Sequence, residues 1–98
     1  MLYRNGMTTI SAEIERRLAA LQPTHLDVRN DSDRHRGHAG HDGTGESHFT
    51  VSIVSASFAG KNRVQRQRAV YAALGDLMER IHALAIAAAA PGEVLPER

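Results

Sequence analysis

Apolar residues recur every three or four positions over 8–22. Ile10, Ile14, Leu18 and Leu21 fall on one helical face, with Glu13, Glu15, Arg16 and Arg17 mostly off it. Thr8, Thr9 or Ser11 offers a side-chain oxygen to cap the start, and Pro23 cannot continue the ladder, which predicts a helix ending near Gln22. From Thr24 to Asn30 the period drops to two. Leu26 and Val28 point one way and His25, Asp27 and Arg29 the other, the pattern of a short half-buried strand. His48 to Val54 alternates again, with Phe49, Val51 and Ile53 on one face. Between the two strands, residues 31–47 (DSDRHRGHAGHDGTGES) hold four glycines and almost nothing apolar, which predicts a long loop.

Phe58-Ala59-Gly60 reads as a turn. Residues 62–80 return to the helical period, with Val64, Tyr71, Leu74 and Met78 in one stripe joined by Val70 and Leu77. Gly75 within that stretch costs about 1 kcal/mol against Ala, so the helix bends or splits there. Ile81 to Ile86, IHALAI, reads as a third strand, although alanine is a poor strand former and the pattern alone leaves it open. Pro91-Gly92 closes the core. The order is α-β-β-α-β, an α+β sandwich with helices on one face of a small three-stranded sheet. The expected division is a flexible extension over 1–7, one domain over 8–90 and a tail over 91–98, frayed or forming a short extra turn. Met1 and Met7 both stand as starts.

Composition narrows the function. Ninety-eight residues make one small domain. Twelve Lys and Arg against eleven Asp and Glu give a formal charge of +1, which argues against a strongly basic nucleic-acid protein on net charge. Without cysteine the chain has no disulfide, redox pair, thiolate zinc site or thiol nucleophile, and no thiolates of its own for an iron–sulfur cluster. The apolar run from Ile81 to Pro91 is too short to cross a bilayer, and the first ten residues lack the apolar segment of a secretory signal. A cytoplasmic protein, without membrane contact, is expected. No nucleophile–base pair, phosphate-cradling loop or carboxylate pair is evident, so no enzyme is expected.

Several motifs together carry a family resemblance. They are Ser47-His48-Phe49-Thr50-Val51 leading into Val54-Ser55, then Phe58-Ala59-Gly60, then Arg66-Gln67-Arg68-Ala69-Val70-Tyr71, then Ile81-His82-Ala83-Leu84-Ala85-Ile86. In order and spacing they resemble the BolA family over nearly the whole chain. The resemblance implies a KH-like fold of class II topology and a strand at IHALAI. Two departures stand out. Gln67 occupies a position where the family often has His, and the first loop is longer than in the shortest members, with three histidines.

The six histidines are His25, His35, His38, His41, His48 and His82. From the residues alone, the loop three read as a solvated His-rich segment and His82 as a core or edge histidine satisfied by backbone. The resemblance implies more. The histidine of the HAL motif, His82, would ligate a [2Fe-2S] cluster shared with a monothiol glutaredoxin, with a second ligand from the first loop. The local Gly-His pattern favours His38, and counting from the Asp-Ser pair favours His35; His41 stands third. The glutaredoxin and its glutathione would supply the thiolates, giving a mixed His/thiolate shell of the Rieske kind. Imidazole must lose its proton to bind metal, so such a site is pH-sensitive. No cluster is expected in the isolated chain, which would be a monomer or weak homodimer. His25 and His48 read as structural or surface residues.

Lys61, Arg63, Arg66 and Arg68 open the second helix, where the macrodipole disfavours cations. They suit phosphate or an acidic partner face, or are simply a solvated helix face; the resemblance implies, as the alternative function, DNA binding in a transcriptional regulator with a role in stress response. Against an RNA mode of the KH type, the turn Gly60-Lys61-Asn62-Arg63 lacks a second glycine. Arg66 and Arg68, two apart, do not share a helix face, so one faces a partner while the other anchors the helix locally.

Overall fold

The computed structural model describes residues 9–31 and 48–96. The expected extension over 1–7 and the loop histidines His35, His38 and His41 lie outside them. The first helix, α1, runs Ile10–Leu18 and tightens into a 3-10 turn at Ala19–Leu21. Of the three candidate caps it is Thr9 whose Oγ1 accepts the Ala12 N–H at 3.1 Å. Ile10, Ile14 and Leu18 are its buried residues. Strand β1 is His25–Asn30, β2 is His48–Val54 and β3 is Ala83–Ala89, in the sheet order β1-β2-β3. β1 pairs antiparallel to β2 and β2 parallel to β3, a mixed sheet in the expected α+β order. Among the described residues no helix is long and apolar enough to cross a membrane.

The second helix, α2, spans Arg63–Leu74 and gives way to 3-10 turns over Gly75–Arg80. Its start is a full capping box. Asn62 accepts from the Gln65 N–H at 2.9 Å, and the Gln65 side chain accepts from the Asn62 N–H at 2.8 Å. Its end is Gly75 at φ +57°, ψ −133°, where a side chain would be strained. Arg17 closes that end from α1, donating to Leu74 O at 2.7 Å and to Asp76 Oδ1 at 2.8 Å. A cation on an orphan helix carbonyl is favourable, and the Arg17 bond to Asp76 pushes that carboxyl below the usual carboxylate range.

Two sequence expectations shift. On α2 the buried residues are Val70 and Leu74, with Ala69 and Ala73 partly buried beside them, while Val64 is 54% exposed and Tyr71 41%. Of the expected stripe, Val64 and Tyr71 lie off the core, while Leu74 and Met78 with the adjoining Val70 and Leu77 pack into or against it. The small alanines beside Val70 and Leu74 leave room for the helix to approach the sheet. β3 begins at Ala83 and runs on to Ala89, rather than spanning 81–86. Its register against β2, from His48↔Ala83 to Val54↔Ala89, decides both ends.

The core lies between the helices and one sheet face. Phe49, Val51 and Ile53 of β2 meet Ile86 and Ala88 of β3, the α1 stripe, Val70, Leu74, Leu77 and Phe58. Ser55 joins layers by hydrogen bonding. Its N–H donates to Ala89 O at 3.0 Å, and its hydroxyl donates to Leu21 O at 2.5 Å at the end of α1. Phe58 is fully buried in the short 3-10 turn Ala56–Phe58. Replacing Phe58 with Ala is expected to cost about 3–5 kcal/mol, while Val64→Ala stays within about 0.5 kcal/mol of wild type. Urea unfolding checks both, through the midpoint at unchanged slope.

Candidate functional site

One end of the sheet gathers the chemistry. β2 and β3 are parallel, so both start at the same edge, and β1, antiparallel to β2, finishes there. His48 is the first residue of β2 and His82 immediately precedes β3. Their ring centroids lie 4.9 Å apart with the planes tilted by 39°. His82 is exposed and His48 half-buried. Exposure removes the core half of the sequence alternative for His82, a core or edge histidine: its imidazole is not a core group.

The segment carrying the three other candidate histidines leaves and returns at this edge. Asp31 N–H donates to His48 O at 2.7 Å. The Asp31 carboxylate accepts from the Thr50 hydroxyl and faces Arg29 Nε at 3.4 Å. Asp31, His48, Thr50 and Leu84 border an open depression of about 380 Å³. Among the described residues no group of three His, Asp or Glu could hold a metal. Among the described residues, this end of the sheet brings together two imidazoles, His48 and His82, and no thiolate.

At the opposite end of β3 the basic residues divide. Arg66 is a local anchor: it donates to Lys61 O at 2.9 Å and pairs with both carboxylate oxygens of Glu93, at 2.7 and 3.1 Å. Lys61 Nζ donates to Ser57 O at 3.0 Å. Arg63 and Arg68 are exposed. Arg66, Arg63 and Lys61 line a groove of about 350 Å³ with Ile86, Glu93 and Val94. The tail is therefore not frayed through Glu93. After a turn with Gly92 at φ +91°, Glu93 also accepts the Ala90 N–H at 3.1 Å.

Residues 18–93 match a family model described as BolA-like protein. The chain belongs to the BolA family. It is 49% identical over 88 residues to a Sinorhizobium protein described by its place in the cobS 5′ region, covering 87% of this chain and 95% of that one. It is 42% identical over 79 residues to the DNA-binding transcriptional regulator BolA of Escherichia coli, covering 79% and 71%. Among solved structures, the BolA domain of SufE1 from Arabidopsis thaliana superposes with a TM-score of 0.76 at 40% identity, covering 90% of this chain and 99% of that one. Against several plant and mammalian relatives the chain spans about half of their length or less.

The BolA match ends on Glu93, the residue that Arg66 holds, so the tail tie falls inside the matched region. Sequence reasoning reads His48 as a structural or surface residue; that it neighbours His82 follows from the pairing of β2 with β3 and not from any local spacing. The signal was present in combined form: two parallel strands that each open on or just after a histidine.

The Arg66 bonds, then the Ala90 N–H, hold the Glu93 carboxyl at about 2 against its ordinary 4.5. The folded state thus holds this proton less tightly than the unfolded chain. The contribution to stability is fully present above about pH 4.5 and is lost as pH falls towards 2. Glu93→Gln is expected to lower the unfolding midpoint at neutral pH, with the gap to wild type narrowing below pH 4.5 and closing near pH 2. Urea melts across that range measure it; a gap independent of pH contradicts the assignment.

Proposed function

We propose that this BolA family chain is a non-enzymatic adaptor that binds a monothiol glutaredoxin and shares a [2Fe-2S] cluster with it, in cluster trafficking or iron regulation. The observation that carries the reading is the placement of His82. It is an exposed imidazole at the sheet edge where the histidine-rich segment departs from Asp31 and returns at His48. His82 is one ligand, and His38 or His35 is the loop ligand. From the exit at Asp31, His35 is four residues along and His38 seven. At about 3.3–3.6 Å per extended residue those tethers span at most roughly 14 and 25 Å.

The donor set fits the group. A chain without cysteine offers neutral imidazoles, so the thiolates must come from the partner. When bound, the cluster supplies iron with open positions for nitrogen donors, and imidazole donors raise its reduction potential. This chain's residues present imidazole nitrogen atoms at one end of the sheet, and the pairing of β2 with β3 holds their strands in register. Arg63 and Arg68 are exposed cations on α2.

A second reading is a DNA-binding regulator. It is favoured by the likeness to the DNA-binding transcriptional regulator of Escherichia coli and by the outward Arg63 and Arg68. Two of the four cations, Lys61 and Arg66, are engaged within the fold, which leaves a small phosphate-binding footprint.

The test is reconstitution. The purified chain is mixed with a monothiol glutaredoxin, glutathione, iron and sulfide without oxygen, and visible circular dichroism and complex mass are recorded. The expected result is a 1:1 complex with a spectrum distinct from that of the glutaredoxin cluster alone, abolished or altered by His82→Ala in a folded variant. No complex, with the glutaredoxin cluster intact, overturns the adaptor reading and directs attention to salt-dependent DNA titration.

A further inference from the structure

We infer that His48 and His82 act together as one bis-imidazole half-site for a borderline transition-metal centre, with His48 a metal ligand in its own right. This deepens the adaptor reading and rests on it only for the identity of the metal; on a cluster that takes two nitrogens from this chain, His48 stands in the place that the adaptor reading gives to His38 or His35.

The argument begins with the register. β2 and β3 pair so that His48 stands opposite Ala83, which puts His82 one residue before that partner. Neighbouring strands lie about 4.8 Å apart, and the rings are separated by a similar 4.9 Å. That spacing matches metal chemistry. With metal–nitrogen bonds of about 2.0–2.1 Å, two imidazoles sharing one ion at angles near tetrahedral have ring centres roughly 5 Å apart. The 39° tilt separates the pair from a face-to-face stack.

Chemistry and placement agree with the spacing. Imidazole suits zinc, copper, iron and nickel, not hard cations such as magnesium or calcium. The nearby Asp31 carboxylate is engaged by Thr50 and Arg29. The two donors sit on the edge of a sheet, a stiffer base than a loop, so their separation is set before any metal arrives. With no third donor group among the described residues, the half-site stays open to ligands from elsewhere.

The test separates this pair from the loop histidines. His35, His38 and His41 are replaced together by Asn, and copper(II) is titrated into that chain by calorimetry and electron paramagnetic resonance. The expected result is a 1:1 site with hyperfine structure from two nitrogens. His48→Asn and His82→Asn should each weaken it at least roughly tenfold, the lower end for losing even an outer-shell partner of a metal. Far-UV circular dichroism confirms that each variant is folded. In the wild-type chain, zinc should shift the side-chain nitrogen resonances of His48 and His82 together, a readout that needs no substitution. Copper binding indifferent to His48→Asn, or zinc that moves His82 without His48, overturns the pair. Copper needs no glutaredoxin, so a failed reconstitution bears on the adaptor reading alone. A heterodimer whose spectrum changes with His48→Asn joins the two.

Discussion

The parallel pairing of β2 with β3 is the constraint on which the rest of the structure depends. Parallel neighbours cannot be joined by a tight turn, so the chain between Val54 and Ala83 must cross over, and α2 with its 3-10 extension is that crossover. The pairing sends the starts of both strands to one edge. The antiparallel return of β1 then brings Asp31 to the same place. Histidines 34 residues apart in sequence meet there because of hydrogen bonds made elsewhere in the sheet.

Three polar ties hold the layers around that pairing. Ser55 fastens the end of α1 to the ladder at Ala89, Arg17 fastens α1 to the carbonyl end of α2, and Arg66 fastens α2 to the turn after β3. Each spans elements far apart in the chain and spares a buried or orphan backbone group from going unpaired. Arg66 also explains part of the basic run. A cation near the start of a helix, unfavourable by dipole, is there as a clasp on Glu93.

Much of this was readable in the residues. β2 is read end to end because Phe49, Val51 and Ile53 alternate with polar residues and no glycine interrupts them. Gly75 announced the split of the second helix because only glycine tolerates the backbone it adopts there. On the second helix and its 3-10 extension Val70, Leu74 and Leu77 are legible as core, while Val64 and Tyr71 are apolar at helical spacing too and only packing leaves them outside it. β3 was placed early because a run of alanines has no alternation to mark where pairing begins; its limits follow from β2. The candidate site divided the same way. His82 stood out by its motif, while His48 required the register, which no local window contains.

The base of the long connection is closed by Asp31, through its N–H to His48 O and its carboxylate to the Thr50 hydroxyl. A connection pinned at its root has a length that matters little to the body it leaves. In polymer terms, doubling such a span adds only about 0.6 kcal/mol to the closure entropy. The segment from 32 to 47 can therefore lengthen, shorten or change its histidine count with little effect on the sheet beneath, while His48 and His82 remain on the fixed side of the knot.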